Sequence, residues 1–460
     1  MIKISNTLSG KKEPLSTIGD KEVRLYVCGV TVYDHCHLGH ARSAVVFDVI
    51  RNYLECKDLL VLYVKNFTDV DDKIINRAQQ EGKDWREIAE KYIASYEEDM
   101  ARLGVRTPTV APKATDHIPQ MIQIIEGLIS KGVAYPVEGD VYYEVTQFPA
   151  YGKLSKRKLD DMMAGARVEI DERKRNPLDF ALWKSSKPGE PAWKSPWGMG
   201  RPGWHIECSA MAMKHLGESF DLHGGGKDLV FPHHENEIAQ SEAYTGKEFV
   251  RCWIHHGFVT VDQEKMSKSL GNFFTIKEIF EKSPHFSEEI IAEVIRFYLL
   301  STHYRSPIDF SDQSLKEAKS SLDNFYTLFQ KVEELGNASG SSDVSDRLRE
   351  FEERFERVMD DDFNTAKAIG VLQKLRGKVN AQLADGRTQW GIQTKDRIKS
   401  LGKILGLFQI PVERWSFKPW ETALSIDPTL SEEMVEGLIR EREEARRKKE
   451  WANRIKFVIV

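Results

Sequence analysis

One stretch near the N-terminus limits the possible fold more than any other. Arg24-Leu-Tyr-Val-Cys-Gly-Val-Thr-Val-Tyr33 is rich in β-branched and aromatic residues and reads as a buried strand, and the loop after it ends in His37-Leu-Gly-His40. Residues 41–57 then carry Val45, Phe47, Val49, Ile50, Tyr53 and Leu54 at mostly helical spacing, and 59–67 read as a second strand. A strand, a helix and a strand in that order indicate a parallel sheet wound by right-handed crossovers. Such sheets bind ligands beyond the carboxyl ends of their strands. The loop ending at His40 stands at such an end.

At 460 residues the chain exceeds one ordinary core, so several domains are expected. Residues 1–112 form the first half of the α/β region. The texture changes over 113–198, with a helix near 117–131, a strand at 140–146 and then Pro-, Lys- and Trp-rich irregular sequence, so this part reads as an insertion. The α/β pattern resumes over 199–250, with a strand at 220–226 and a helix expected to open at Pro232, since proline suits a first helical turn. Residues 251–306 follow. The segment 307–408 is mostly helical with a Gly/Ser-rich loop at 336–342, and 409–460 is a charged end beyond a break at Ile410-Pro411.

Composition excludes several classes. With 41% hydrophobic and 30% charged residues, the chain is that of a folded soluble protein, not a disordered one. Residues 1–10 hold no apolar signal core, and no run approaches the roughly 18 apolar residues of a membrane span, so a cytoplasmic protein with no membrane partner is expected. Five dispersed cysteines, Cys28, Cys36, Cys56, Cys208 and Cys252, argue against a secreted disulfide framework and leave metal binding or catalysis open. The net charge of −5 requires any nucleic acid to be held by local basic surfaces.

Pro232-His-His-Glu-Asn-Glu237 sets His233 and Glu237 four residues apart, on one face of a helix. The spacing fits a pair of metal ligands and equally a hydrogen-bonded surface pair. Cys28, at the end of the first strand, and Cys208, in Trp204-His-Ile-Glu-Cys208, could converge on that pair; the alternative is two buried apolar thiols. A Cys₂-His-Glu set suits zinc, and its carboxylate can yield as a substrate ligand arrives. Zinc binds and deprotonates a thiol far more readily than a hydroxyl, so such a site separates cysteine from serine.

Lys265-Met-Ser-Lys-Ser269, followed by Leu270-Gly-Asn272, places two lysines three apart in a Ser/Gly loop. Alone it could be a solvated loop. Two such cations also suit the β- and γ-phosphates of ATP during attack on the α-phosphate, while histidines at a strand-to-helix turn sit where helix amides favour phosphate. The pairing of the two motifs resembles the class I aminoacyl-tRNA synthetases. Within that class, the runs Tyr26-Val-Cys-Gly29, Asn66-Phe-Thr-Asp-Val-Asp-Asp-Lys73, Gly203-Trp-His-Ile-Glu-Cys-Ser209 and His223-Gly-Gly-Gly-Lys-Asp-Leu229 are similar to the cysteinyl-tRNA synthetase family over nearly the whole chain. Leu38 departs conservatively from the isoleucine of the family motif.

That resemblance implies a class I Rossmann-like parallel-sheet catalytic domain with an insertion, an α-helical tRNA-binding region and a short anticodon-binding end. It implies one zinc per chain on Cys28, Cys208, His233 and Glu237, Mg²⁺ with ATP, and catalysis by His37, His40, Lys265 and Lys268. ATP contacts are implied for Gly39, His40, Gly225, Asp228 and Lys268, and cysteine contacts for Gly29, Thr31, Thr68, Trp204 and His223. His205, His223, His234 and His255 resemble the family's histidine cluster. The partners implied are L-cysteine, ATP and cysteine tRNA, with the protein a monomer. Arg446 and Trp451 match the anticodon-contacting region, where basic residues beside an aromatic suit phosphates and base stacking. A ligase joining cysteine to an amino sugar, an RNA-binding relative without catalysis and a zinc-stabilised nucleotide-binding scaffold are the rivals; the residues after Pro307 and the two intact motifs argue against them.

Overall fold

The computed structural model describes residues 1–159, 172–261, 264–265, 274–335 and 345–420. It divides into two compact units, Met1–Lys418 and Pro419–Val460, and every element below belongs to the first. A hairpin of β1 (Lys3–Asn6) and β2 (Lys11–Pro14) leads to β3 (Glu22–Thr31), α1 (Leu38–Cys56) and β4 (Leu60–Thr68), with β3 and β4 parallel. Val23, Leu25, Tyr26 and Val27 of β3 are all fully buried, as in a parallel strand covered on both faces.

The first helix starts earlier than its apolar spacing suggests. His37 is its N-cap: Nδ1 accepts the Gly39 N–H at 2.9 Å, and Nδ1 of His40 accepts the His37 N–H at 3.4 Å. Two imidazoles thus do what a Ser/Thr–Glu capping box ordinarily does, which hides the start of the helix from a propensity reading. Asp71 and Asp84 cap α2 (Asp72–Glu81) and α3 (Trp85–Arg102) in the ordinary way.

Beyond α4 (Ile118–Ser130), the stretch expected to be irregular is largely sheet. Strands β5 (Ala134–Val137), β6 (Asp140–Tyr143), β7 (Phe180–Ser185), β8 (Trp193–Ser195) and β9 (Gly198–Pro202) pair antiparallel in the order β5-β6-β7-β9-β8. These strands are short, and pairing and the buried Trp183 hold them where propensity would not. Asp179 fastens the sheet's base, accepting from the Tyr135 hydroxyl at 2.7 Å and from the Val145 and Asn176 N–H groups at 3.0 Å.

The parallel sheet resumes after α5 (Trp204–Leu216) with β10 (Phe220–Gly226), α6 (Glu235–Thr245) and β11 (Val250–His256). The order is β11-β10-β3-β4, all parallel. Strand order reverses between β3 and β10, so the ligand crevice falls at their carboxyl ends. Helix α6 opens at Glu235, not Pro232: Val230–His234 is a wider turn in which Phe231 is extended (φ −142°, ψ 133°). Tyr26, Val64, Ile206, Met211, Phe220 and Trp253 belong to the core packed against this sheet.

A small sheet follows, in which β12 (Val259–Val261) pairs antiparallel with β13 (Glu264–Lys265) and parallel with β14 (Ile308–Phe310). Between them lie α7 (Ile276–Glu281) and α8 (Glu288–Leu300). After β14, which the sequence does not predict, the chain is helical as expected: α9 (Asp312–Glu334), α10 (Ser345–Asp360), α11 (Thr365–Ala384) and α12 (Gln389–Leu405). The loop expected at 336–342 lies outside the described residues. Buried Arg296 of α8 meets Asp48 of α1 at 2.7 Å and donates to the carbonyls of Leu103, Gly104 and Leu405, tying the helical region to the parallel sheet. Among the described residues, no helix is long and apolar enough to cross a membrane.

Candidate active site

Cys28 stands at the carboxyl end of β3, Cys208 in the first half of α5, His233 in the turn before α6 and Glu237 in the first turn of α6. All four are buried, and their ligand atoms lie within 4.8 Å of one another. The two Sγ atoms are 3.7 Å apart, Cys28 Sγ is 3.4 Å from Glu237 Oε1, and that oxygen is 3.1 Å from His233 Nε2. A tetrahedral ion bonded at about 2.3 Å to sulfur and about 2.0–2.1 Å to nitrogen or oxygen has ligand-to-ligand edges of about 3.3–3.8 Å. The cluster therefore has the size that one such ion needs. His233 and Glu237 meet although the regular helix begins only at Glu235, because the turn still brings residues four apart together.

Cys28, His223, His234 and Glu237 form an overlapping set of the same compactness. The two share Cys28 and Glu237, so a single ion uses one of them. In the second set, His223 Nε2 already meets Glu237 Oε2 at 2.9 Å and its ring stacks on Trp253, while His234 Nδ1 meets His255 Nε2 at 2.8 Å. His223 thus reaches the site through Glu237. His205 Nδ1 lies 2.9 Å from His233 Nδ1, so the histidine cluster orients the inner residues from behind.

Electrostatics couple the buried groups of this cluster to one another. Burial alone would raise the Glu237 carboxyl, yet the facing His223 and His233 bring it down to about 2. Burial likewise works against the His233 imidazolium, but Cys208 and Glu237 raise it to about 10. The hydrogen bond from Cys28 lowers the Cys208 thiol, whereas burial pushes Cys28 up.

Beside this cluster, Trp204 is 38% exposed and stacks on His233 with 4.2 Å between ring centroids. Gly29 and Thr31 lie at the end of β3, where Thr31 pairs with Thr68 of β4. Asn66 is the residue that sequence reasoning misses. Its Oδ1 accepts the Gly29 N–H at 2.9 Å and its Nδ2 donates to Thr68 Oγ1 at 3.3 Å, which locks the two strand ends together beside Cys208. A Cβ on Gly29 would fall 1.5 Å from the Asn66 carbonyl oxygen, so only glycine fits there. The signal was the asparagine at the end of a buried strand, where a polar side chain needs a partner.

His37 and His40 stack at 3.8 Å at the start of α1. Burial first, then His37, Lys65 and Lys73, hold the His40 imidazole well below its ordinary value. Gly225 is buried against His234, and Asp228 is exposed just beyond β10. In β13, the backbone of Lys265 pairs with Thr260 of β12; Lys268, Arg446 and Trp451 lie outside the described residues.

A parallel sheet with its crevice at this switch point, a histidine-capped helix and a buried thiol–imidazole–carboxylate cluster define the class. Residues 14–320 match the family model for the catalytic domain of class I (C) tRNA synthetases, and residues 354–409 match that of the DALR domain. The structure is similar to a methionyl-tRNA synthetase of Mycobacterium tuberculosis in complex with methionyl-adenylate, with a TM-score of 0.62 at 16% identity over 84% of this chain and 90% of that one. The chain belongs to the cysteine–tRNA ligase family: it is 54% identical to the cysteine–tRNA ligase of Geobacter sulfurreducens and 52% identical to that of Thermodesulfovibrio yellowstonii, in each case over 98% of this chain and 94% of the relative.

Proposed function

We propose that this enzyme activates L-cysteine with MgATP to cysteinyl-adenylate, releasing pyrophosphate, and transfers the cysteine to the 3′-terminal adenosine of cysteine tRNA. One observation carries the choice of amino acid: Cys28, Cys208, His233 and Glu237 converge at the carboxyl end of β3, beside the helix that His37 and His40 open. These four would hold one zinc ion, which when bound supplies a Lewis acid for the substrate's sulfur and discriminates against serine. The set with two cysteines is preferred to the overlapping one because thiolates favour zinc over harder ions.

Around that centre, Gly29, Thr31, Thr68 and Trp204 line the cysteine, and His223 steadies Glu237. His37, Gly39 and His40 meet the phosphates at the positive end of α1, Gly225 and Asp228 the adenosine, and Lys265 and Lys268 the charge that develops as pyrophosphate leaves. The match to the DALR domain and the near-complete overlap with cysteine–tRNA ligases support tRNA as the acceptor over an amino sugar. Residues 307–408 would lie along the tRNA and 409–460, with Arg446 and Trp451, would read the anticodon. We take the enzyme to work as a cytoplasmic monomer, where the site thiols stay reduced.

Cysteine-dependent pyrophosphate exchange, followed by charging of cysteine tRNA, tests this reading. Exchange with cysteine but not serine, and charging by the same preparation, is expected. Exchange without charging of tRNA would favour another acceptor.

A further inference from the structure

Two residues beyond His40, α1 sends Arg42 into the protein. Its side chain is fully buried, and no carboxylate lies within ion-pair distance of it among the described residues. Its guanidinium donates instead to main-chain carbonyls of two loops: Nη1 to Phe258 at 2.7 Å, and Nη2 to Tyr304 at 3.1 Å, to His303 at 3.4 Å and to Ser306. Phe258 comes directly before β12, and the other three come just before β14. The loops touch there because residue 257 is glycine; a Cβ on Gly257 would fall 2.5 Å from the Ser306 carbonyl. Enclosing a cation among carbonyls costs free energy that an apolar side chain would avoid, so bare stability does not explain the arginine. A planar fork of donors spanning two loops fixes geometry, and lysine cannot reproduce it.

We propose that Arg42 is a positioning residue for adenylate formation. It holds the first turn of α1, with His37 and His40, at a set distance from β12 and hence from β13, whose Lys265 opens the second motif. It acts through those elements and touches no reactant. The inference rests on the reading above, in which the two motifs serve the same ATP.

Arg42→Lys and Arg42→Ala are the test, with His40→Ala and Lys268→Ala alongside. In steady-state pyrophosphate exchange, Arg42→Lys should lower kcat by about ten- to a hundredfold, the range that ångström-scale misplacement produces. KM for cysteine and the bound zinc should stay within about twofold of the parent, since the zinc cluster is held by other elements. Arg42→Ala should lose more, and millimolar guanidinium should restore part of the loss by refilling the vacated site. Unchanged kcat in Arg42→Lys, or parallel loss of kcat, cysteine affinity and zinc in that variant, would overturn the role. Unchanged exchange in both His40→Ala and Lys268→Ala would instead remove the underlying reading of the motifs. Collapse in those two with Arg42→Lys unaffected would remove only the inference.

Discussion

At the scale of single residues, the site depends on a few side chains with little freedom. Replacing Cys208 by serine swaps a thiolate for a poorly acidic hydroxyl, so the protein should fall from about one zinc per chain to well below it and lose cysteine activation with it. Elemental analysis of the purified variant checks this, and full occupancy would remove Cys208 from the ligand set. Gly29→Ala forces the β3 and β4 ends apart, because the added methyl meets a main-chain oxygen that cannot rotate away. It should destabilise the fold by about 1–3 kcal/mol or more and raise KM for cysteine; a thermal melt and exchange kinetics read both. The candidate ligands were legible in the sequence because thiol, imidazole and carboxylate are chemically conspicuous. Asn66 was not, because its importance lies in which strand end it faces, and Arg42 was not, because its partners are carbonyls that no sequence pattern marks.

At the scale of elements, long periodic segments declared themselves and short ones did not. The strand β3 follows from its β-branched and aromatic residues, whereas β7, β8 and β9 carry Lys, Pro and Gly and exist through their neighbours. The start of α1 escapes a propensity reading because histidines replace the usual capping residues, and Pro232 suggests a start for α6 three residues early because it sits in a turn and not at a first helical position. The join of α1 to α8 gives a prediction at this scale. Asp48→Ala strands the Arg296 guanidinium in the interior, and although three carbonyls still accept from it, removing one partner of a buried pair should cost about 3 kcal/mol. The midpoint of thermal unfolding should drop accordingly, and adding Arg296→Met should recover part of the loss. A double variant no better than Asp48→Ala would show that the arginine is held by the carbonyls alone.

Across the whole of the first unit, a buried carboxyl makes stability depend on pH. Burial pushes Glu293 up to about 7, against hydrogen bonds from the Phe408 N–H at 2.7 Å and the Tyr326 hydroxyl at 2.9 Å and the charges of Lys399 and Arg296. The folded chain therefore holds a proton that the unfolded chain, near its ordinary value of about 4.3, has released. The stabilisation is complete below that value and declines as pH rises toward 7, by up to about 3 kcal/mol through linkage. Glu293→Gln should flatten this part of the profile; parallel melting curves from pH 5 to 8 for parent and variant would contradict it. The order of the strands also has a consequence for synthesis. Strand β3 meets β4 almost at once, but β10 arrives only at Phe220, and the Ser5 N–H of β1 finds the Asp362 carboxylate 357 residues later. At about 5–20 residues per second, β1 waits roughly 20–70 s on the ribosome for Asp362, and β3 roughly 10–40 s for β10. Until β10 is made, the β3 edge of the half-built sheet stays open, and the growing chain needs protection there from its neighbours on the same message.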